Sequence, residues 1–553
     1  MRLESKRRQV NLLLPMYVTT ATLVLICISA WALPPNQWAW MSGSNTPNAP
    51  GVYGTKGVAA PSNVPGGRLG AASWIDPAGN FWVFGGAVPI GPALVRFNDL
   101  WQYNPSTGNW TWVSGSNASN PAGVYGTKGM PSTTNAPGGR QSAVTWTDSS
   151  GNLWLFGGFG LDSVSAEGVM NDLWEFSPSA GTWTWVGGSD KQLAVGSYGT
   201  LGTASSSNIP GARSGAVAWT DSAGGFWLFG GDGCDAAGCG GTGSPILVPS
   251  LNDLWRYDPA AGTWTWVSGS NLANHVGVYG TRGMPAAGNV PNGRSGATGW
   301  IDCNNNLWLF GGQDAYIDNF GFFATDGGQN DLWEYSSSTG FWTWVSGANG
   351  FAVLGVYGTE GTPSTSNVPG GRIFASGWMD SGGNLWLFGG FGVATAFTSG
   401  YLNDLWEYNP GAGTWDWVSG SNTVNAVGTY GTEGAASPAN VPGARYTANS
   451  WIDDTGNLWL FGGSGNAPPG SPTPFFNDLW EYTPAPSAAT GQGCPAACKQ
   501  DDEDRDEGDH RARQKDENDN GERHKQDRDH KHHSHDCDDP NEKGHEKDRE
   551  RGN

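Results

Sequence analysis

The chain has 553 residues and a net charge of −21, with 14% charged side chains, 87 glycines and 31 tryptophans. That length can bury a large core, and the glycine and aromatic content suits tight turns between aromatic-rich strands. The acidic balance excludes a surface made to grip a phosphate backbone, so no nucleic-acid partner is expected.

The first element is a leader. Arg2, Lys6, Arg7 and Arg8 precede an apolar run from Leu12 to Ala32 that ends Ala30-Trp31-Ala32, a small-x-small pattern before Leu33. Residues 1–32 therefore read as a secretory signal. The run exceeds 20 residues, so an uncleaved anchor over 12–32 is the alternative, and it would be the one membrane contact. Either form exports the rest of the chain to a secreted or extracytoplasmic location. Ile26 before Cys27 is too large for a lipoprotein cleavage site.

Next comes a lone aromatic run, QWAWMSG (Gln37 to Gly43), and then a repeat. The phrase NDLW begins at Asn98, Asn171, Asn252, Asn330, Asn403 and Asn477, at spacings of 73, 81, 78, 73 and 74 residues, a period of repeat architectures. One unit runs from PGGR (Arg140) through SAVTWTD and a Ser-Ser-Gly-Asn turn to LWLFGG, then NDLWEFSP and TWTWVGG. Four short runs rich in Trp, Phe, Leu, Val and Thr, each bounded by Gly, Pro, Asn or Asp, predict four strands. We call them A (after the arginine), B (ending in the double glycine), C (carrying DLW) and D (carrying the paired tryptophans). The array opens on the D-type run at Gln37 and closes on a C-type run, NDLWEYTP (Asn477 to Pro484). The opening strand can complete the last sheet, which predicts an all-β, six-bladed β-propeller over 33–484, closed by an N-terminal outer strand so that no strand edge is left open. An open stack would need polar caps at its ends.

These residues resemble the kelch repeat family. A double glycine is followed by an aromatic residue and, after six intervening residues, by Trp: Tyr103 and Trp110, Phe176 and Trp183, Tyr257 and Trp264, Tyr335 and Trp342, Tyr408 and Trp415. Tyr482 lacks such a partner downstream, and Trp38 supplies it from the other end. The resemblance covers residues 37 to 484 and implies a propeller with many possible roles, since fold does not carry function.

Strands that alternate in direction put the A–B and C–D turns on one face and the B–C and D–A loops on the other. The A–B turns are tight, as from Asp148 to Asn152, whereas each D–A link holds about two dozen residues reading SN, GVYGT and PGGR or variants. Binding of a protein or glycan is expected on this loop-rich face. There the repeat places Arg68, Arg140, Arg213, Arg294, Arg372 and Arg445, half of the twelve Lys and Arg in the repeat region. As a ring near the central passage they are candidate contacts for an anion or carboxylate. The competing reading pairs each with a carboxylate of its own repeat. The Asp of NDLW reads as an acceptor for backbone groups at a strand start, and the Tyr of GVYGT either stacks on a sugar or pins its loop.

Catalysis has few candidates. A sialidase-like glycosidase is the alternative reading and would draw on irregular carboxylates such as Asp162, Glu167 or Asp318. Turns such as DSSGN resemble the Asp-box of sialidases, but the Asp to Trp spacing is one residue too long, so they read as hairpins. Galactose oxidase, a copper enzyme on a kelch propeller, needs two histidines, and the repeat region has only His275. No catalytic residue, cofactor or propeller metal site is assigned.

Cys234 and Cys239 flank a Gly-rich stretch and are candidates for a local disulfide, as are Cys494 and Cys498 in a linker over 485–500. Cys303 has no evident partner. Residues 501–553 hold 20 acidic and 12 basic side chains and seven of the eight histidines, a composition that predicts a disordered tail. His530, His532, His533 and His535 are its candidate metal ligands, against the plainer reading of a solvating extension. A structural role at the cell envelope, carried by this tail, is a further alternative.

Overall fold

Short aromatic runs closed by Gly and Asp turns fold back on one another, and a computed structural model of the chain shows the pairing. It describes residues 34–90, 93–239, 249–314, 328–466 and 473–485, which form strands, turns and loops without a helix. The leader and the 501–553 tail lie outside the described residues.

In the first repeat, A (Ala72–Ile75), B (Phe81–Phe84), C (Leu100–Asn104) and D (Asn109–Ser114) form one antiparallel sheet in that order. Trp74 lies opposite Trp82, and Tyr103 opposite Trp110. The same order recurs in the sheets whose A strands start at Val144, Val217, Thr298 and Ser376. In the sheet of Asn449–Ile452, Leu458–Phe461 and Leu479–Thr483, the D position is filled by Gln37–Ser42. Trp38 there faces Tyr482 as Trp110 faces Tyr103. The described residues thus form a β-propeller-like all-β fold.

Burial follows position in the sheet. The B strand FWVF is buried at all four residues, because both of its faces meet neighbouring sheets, whereas the A strand ASWI alternates between buried and half-buried. Each A–B hairpin is held by one aspartate. Asp76 accepts the backbone N–H of Ala78 and Asn80 through one oxygen and the Trp82 indole N–H through the other, at 2.8 Å. Asp148 does the same for Ser150, Asn152 and Trp154, so these turns are hairpins, as their spacing predicts.

Two glycine positions are required by close approach. Gly85 of the double glycine sits at φ 67°, and a Cβ there would come within 2.8 Å of the carbonyl oxygens of Phe97 and of Arg140 in the next repeat. Gly115, which ends strand D at φ 77°, lies against the Asn98 carbonyl. Any side chain at either place would push strands apart.

The core lies between sheets. One cluster joins Trp74, Phe84 and Leu100 to Leu153, Trp174 and Trp183 of the following repeat. Another joins Trp451, Phe461 and Leu479 of the last sheet to Phe81, Trp101 and Trp110 of the first. The side-chain amide of each NDLW Asn reaches a proline carbonyl in the next D–A loop: Asn98 to Pro137, Asn171 to Pro210, and Asn477 to Pro65 at 3.0 Å.

The start of strand A differs from the sequence expectation. Arg140–Gln141 form a separate short strand that pairs with Phe159–Gly160, beyond the double glycine where strand B was expected to end. Ser142, at φ 54°, then turns the chain into Val144–Thr147. The turning residues of successive repeats are joined by backbone hydrogen bonds. Ser142 N–H donates to Gly70 C=O, Gly215 to Ser142, Gly296 to Gly215, Phe374 to Gly296, Thr447 to Phe374 and Gly70 to Thr447, at 2.6 to 3.3 Å. This circuit narrows the central passage to a cavity of about 160 Å³.

Candidate functional site

The most repeated letters of the sequence meet at one place per repeat. Arg140 donates Nη1 and Nη2 to the two oxygens of Asp172, at 2.7 and 2.8 Å, and donates further to the carbonyls of Gly138 and Gly157. Tyr125 of GVYGT and the indole of Trp174 both donate to Asp172 Oδ2 at 2.7 Å. Arg140 is 1% exposed and Asp172 fully buried. Burial alone would lower the pKa of Arg140, but the Asp172 carboxylate outweighs it and holds the guanidinium firmly charged; burial together with Asp172 raises that of Tyr125. A planar fork matched to a carboxylate, with Oδ2 further satisfied by a phenol and an indole, is the arrangement in which a buried ion pair persists.

The same knot recurs for Arg68 with Asp99, Arg213 with Asp253, Arg294 with Asp331, Arg372 with Asp404 and Arg445 with Asp478. The six arginines read as candidate anion contacts are thus each buried against a carboxylate of their own repeat, with no donor edge turned to solvent. The geometry matches the pairing alternative, because the NDLW aspartate, expected to take backbone groups, takes the guanidinium. The tyrosines likewise pin their loops.

What varies is the rim these knots hold. The residue after each arginine is, in chain order, Leu69, Gln141, Ser214, Ser295, Ile373 and Tyr446, of which Ser295 and Ile373 are buried and the other four half-buried. Around the last two, Phe374, Phe391, Tyr401 and Tyr446 are half-buried and pack edge-on or tilted, with ring centres 5.4 to 6.3 Å apart. Phe374 takes a positive φ of 51° where three other repeats place glycine, and its ring covers Gly296. Around Ser295 the character is acidic. Asp232 accepts the hydroxyls of Ser250 and Ser295 at 2.6 Å, and burial, then Asp314 nearby, raises its pKa. Around Gln141 stands Arg96, on the face of the Phe159 ring at 4.7 Å and paired with Glu167. Apart from Glu167, sequence reasoning missed these residues because it followed what repeats. The signal that finds them is departure from the repeat at aligned positions.

The opposite mouth is uncharged. A cavity of about 530 Å³ opens between the ends of the A strands, lined by Ser73, Thr145, Ile301, Met379 and their counterparts, with no charged side chain.

The irregular carboxylates have structural partners: Asp162 caps a turn at Val164 and Ala166, and Glu167 pairs with Arg96. Asp318, Cys494, Cys498 and the tail histidines His530, His532, His533 and His535 lie outside the described residues. Cys234 and Cys239 are joined in a disulfide. Cys303, for which the sequence offered no evident partner, is disulfide-bonded as well. Among the described residues no three His, Cys, Asp or Glu side chains gather to hold a metal ion, and no helix is long and apolar enough to cross a membrane.

No family model matches this chain, and no curated protein matches it by sequence. Among solved structures it is similar to that of YjhT, with 14% identity over 75% of this chain and 95% of that one, at a TM-score of 0.43. At that identity the likeness bears on neither ligand nor activity.

Proposed function

We propose that this chain is an exported, six-bladed kelch-type propeller, closed by its N-terminal strand, that binds a protein or carbohydrate ligand on its loop-rich face. The observation that carries the reading is an unlike rim on like supports. Six equivalent Arg–Asp–Tyr–Trp knots fix the backbone, while the next residue along is aromatic, amide, hydroxyl or aliphatic according to the repeat. A scaffold that only had to stand would gain nothing from that variety, whereas a binding site on a symmetric frame needs it. Supporting the ring are the register of Trp38 with Tyr482 and the cluster between last and first sheets. Supporting export are the basic N-terminus and the apolar run before Leu33.

The test is a glycan and protein array probed with the chain from Leu33 onward, beside Tyr401→Ala and Tyr446→Ala variants. Binding that weakens about tenfold or more in the variants while the melting temperature holds supports the rim. Binding untouched by both, but lost when Thr145 and Ser73 on the opposite mouth are enlarged to Trp, would move the site to the plain face.

A further inference from the structure

Of the twelve Lys and Arg in the repeat region, Arg96 is one that stands outside the six repeated Arg–Asp pairs. It stands two residues before the NDLW Asn, where the other repeats have Val169, Ser250, Gly328, Tyr401 and Phe475. Its backbone is fixed by Asn120, whose side chain accepts the Arg96 N–H and whose own N–H donates to the Arg96 carbonyl, both at 2.8 Å. The guanidinium carbon lies over the Phe159 ring, 4.7 Å from its centre, and only 5% of the residue is exposed.

Its donors are incompletely used. Nη1 meets Glu167, itself half exposed, while Nε is buried without a hydrogen-bond partner. A buried charged donor in that state is costly unless something completes it. Burial is the larger influence on this group and draws its pKa below the usual guanidinium value in spite of Glu167. Beside it, Gln141 faces Phe159 directly across the ladder, so the two side chains leave the sheet on the same side. Gln141 Oε1 is also buried without a partner. An unfilled cationic donor and an unfilled acceptor therefore flank one aromatic ring, next to the residue that turns into the passage.

We infer that Arg96, Phe159 and Gln141 form a subsite for a carboxylate bearing a neighbouring hydroxyl, the chemistry of a sugar acid. The carboxylate accepts from the free edge of Arg96, the hydroxyl donates to Gln141 Oε1, and the apolar ring face lies against Phe159. This rests on the loop-rich face being the binding face, and it names what one sector of that face reads.

The experiment is calorimetric titration of the exported chain with D-glucuronate, D-glucose and acetate. Glucuronate is expected to bind about tenfold or more tightly than either of the others, since only it offers both groups. Arg96→Met, which keeps a stem over Phe159, should lose that preference, and Gln141→Leu should bring glucuronate down to the level of acetate. Glu167→Gln, which frees a donor, should bind glucuronate as well as the parent or better. Should Arg96→Met fail to fold, Arg96→Lys is read instead, with an expected loss of the two-pronged contact and weaker binding. Equal binding of glucuronate and glucose, or glucuronate binding that survives Arg96→Met, overturns the subsite but leaves the loop-rich face standing. No binding of glucuronate or acetate by the parent at millimolar concentration also overturns it, and means that water completes Arg96. Loss of glycan-array binding only in the Tyr401 and Tyr446 variants would keep the face and discard this sector.

Discussion

At the scale of single residues, the six Arg–Asp pairs and the two most shifted glutamates make opposite predictions. Arg140 and Asp172 are buried and bound through two parallel contacts, with Tyr125 and Trp174 completing the carboxylate. Removing one partner strands the other. Arg140→Ala should cost about 3 to 5 kcal/mol, read from the urea midpoint, while the double variant Arg140→Met with Asp172→Leu should cost less than the sum of the single changes. Additive losses would mean that the pair is not coupled. Glu407 and Glu481 are the reverse case. Burial pushes each carboxyl up to about 7, with Asp380 and Asp416 adding to the shift for Glu407 and Asp453 for Glu481. Asp416 lies directly across the ladder from Glu407. A carboxyl whose folded pKa is raised stabilises the fold fully below its unfolded pKa, and that contribution is lost as pH rises through the folded value. The unfolding free energy from urea melts should therefore fall between about pH 4.5 and pH 7.5, by on the order of 1 to 3 kcal/mol per group. Glu407→Gln and Glu481→Gln together should flatten the slope; a slope unchanged in that double variant assigns it to other groups.

At the scale of elements, the strands were legible and the rim was not, for one physical reason. Strand order, the Asp148 hairpin and the placing of Gln37–Ser42 follow from turn residues and aromatic periodicity, which the chain writes many times over. The break after Arg140 was hidden because its cause is a backbone angle. Ser142, Phe374 and Thr447 occupy a left-handed conformation that glycine holds at Gly70, Gly215 and Gly296, and nothing in their letters announces it. Arg96 was equally hidden, since its meaning lies in burial beside Phe159 and not in spacing. The D–A loop shows how one side chain decides an element's order. Tyr125 reaches from the loop to Asp172 while packing edge-on to Trp185, 5.1 Å between ring centres. Tyr125→Phe keeps the packing and removes one hydrogen bond to a charged group, a loss of about 1.5 to 3 kcal/mol. Limited proteolysis should then cut within residues 116–139 faster than in the parent, ahead of global unfolding. Cleavage no faster than in the parent would show that packing alone holds the loop.

At the scale of the whole molecule, the open question of energy is whether the last repeat is joined to the first as firmly as any repeat is to its neighbour. The hydrogen bonds make the comparison direct. Asn171 Nδ2 donates to the Pro210 carbonyl and its Oδ1 accepts from Ser189, at 3.2 and 3.0 Å. Asn477 repeats both contacts across the chain ends, to Pro65 and from Ser44, at 3.0 and 3.1 Å. In a closed ring the two positions are equivalent, and Asn171→Ala and Asn477→Ala should each cost about 1 to 3 kcal/mol, for buried groups left unpaired. An open array gives a different result. Its end contact would fray ahead of the rest, so Asn477→Ala would leave the midpoint unchanged while Asn171→Ala lowered it. A closed ring also ties Trp38 of the opening strand to Phe388 of the fifth repeat and Tyr482 of the sixth, at 5.5 and 5.0 Å. Trp38→Ala removes a ring 2% exposed from that seam and should cost about 3 to 5 kcal/mol, with the whole chain unfolding in one earlier transition. If the last sheet instead melts alone in a separate step, the seam is a contact between two ends and not part of one continuous core.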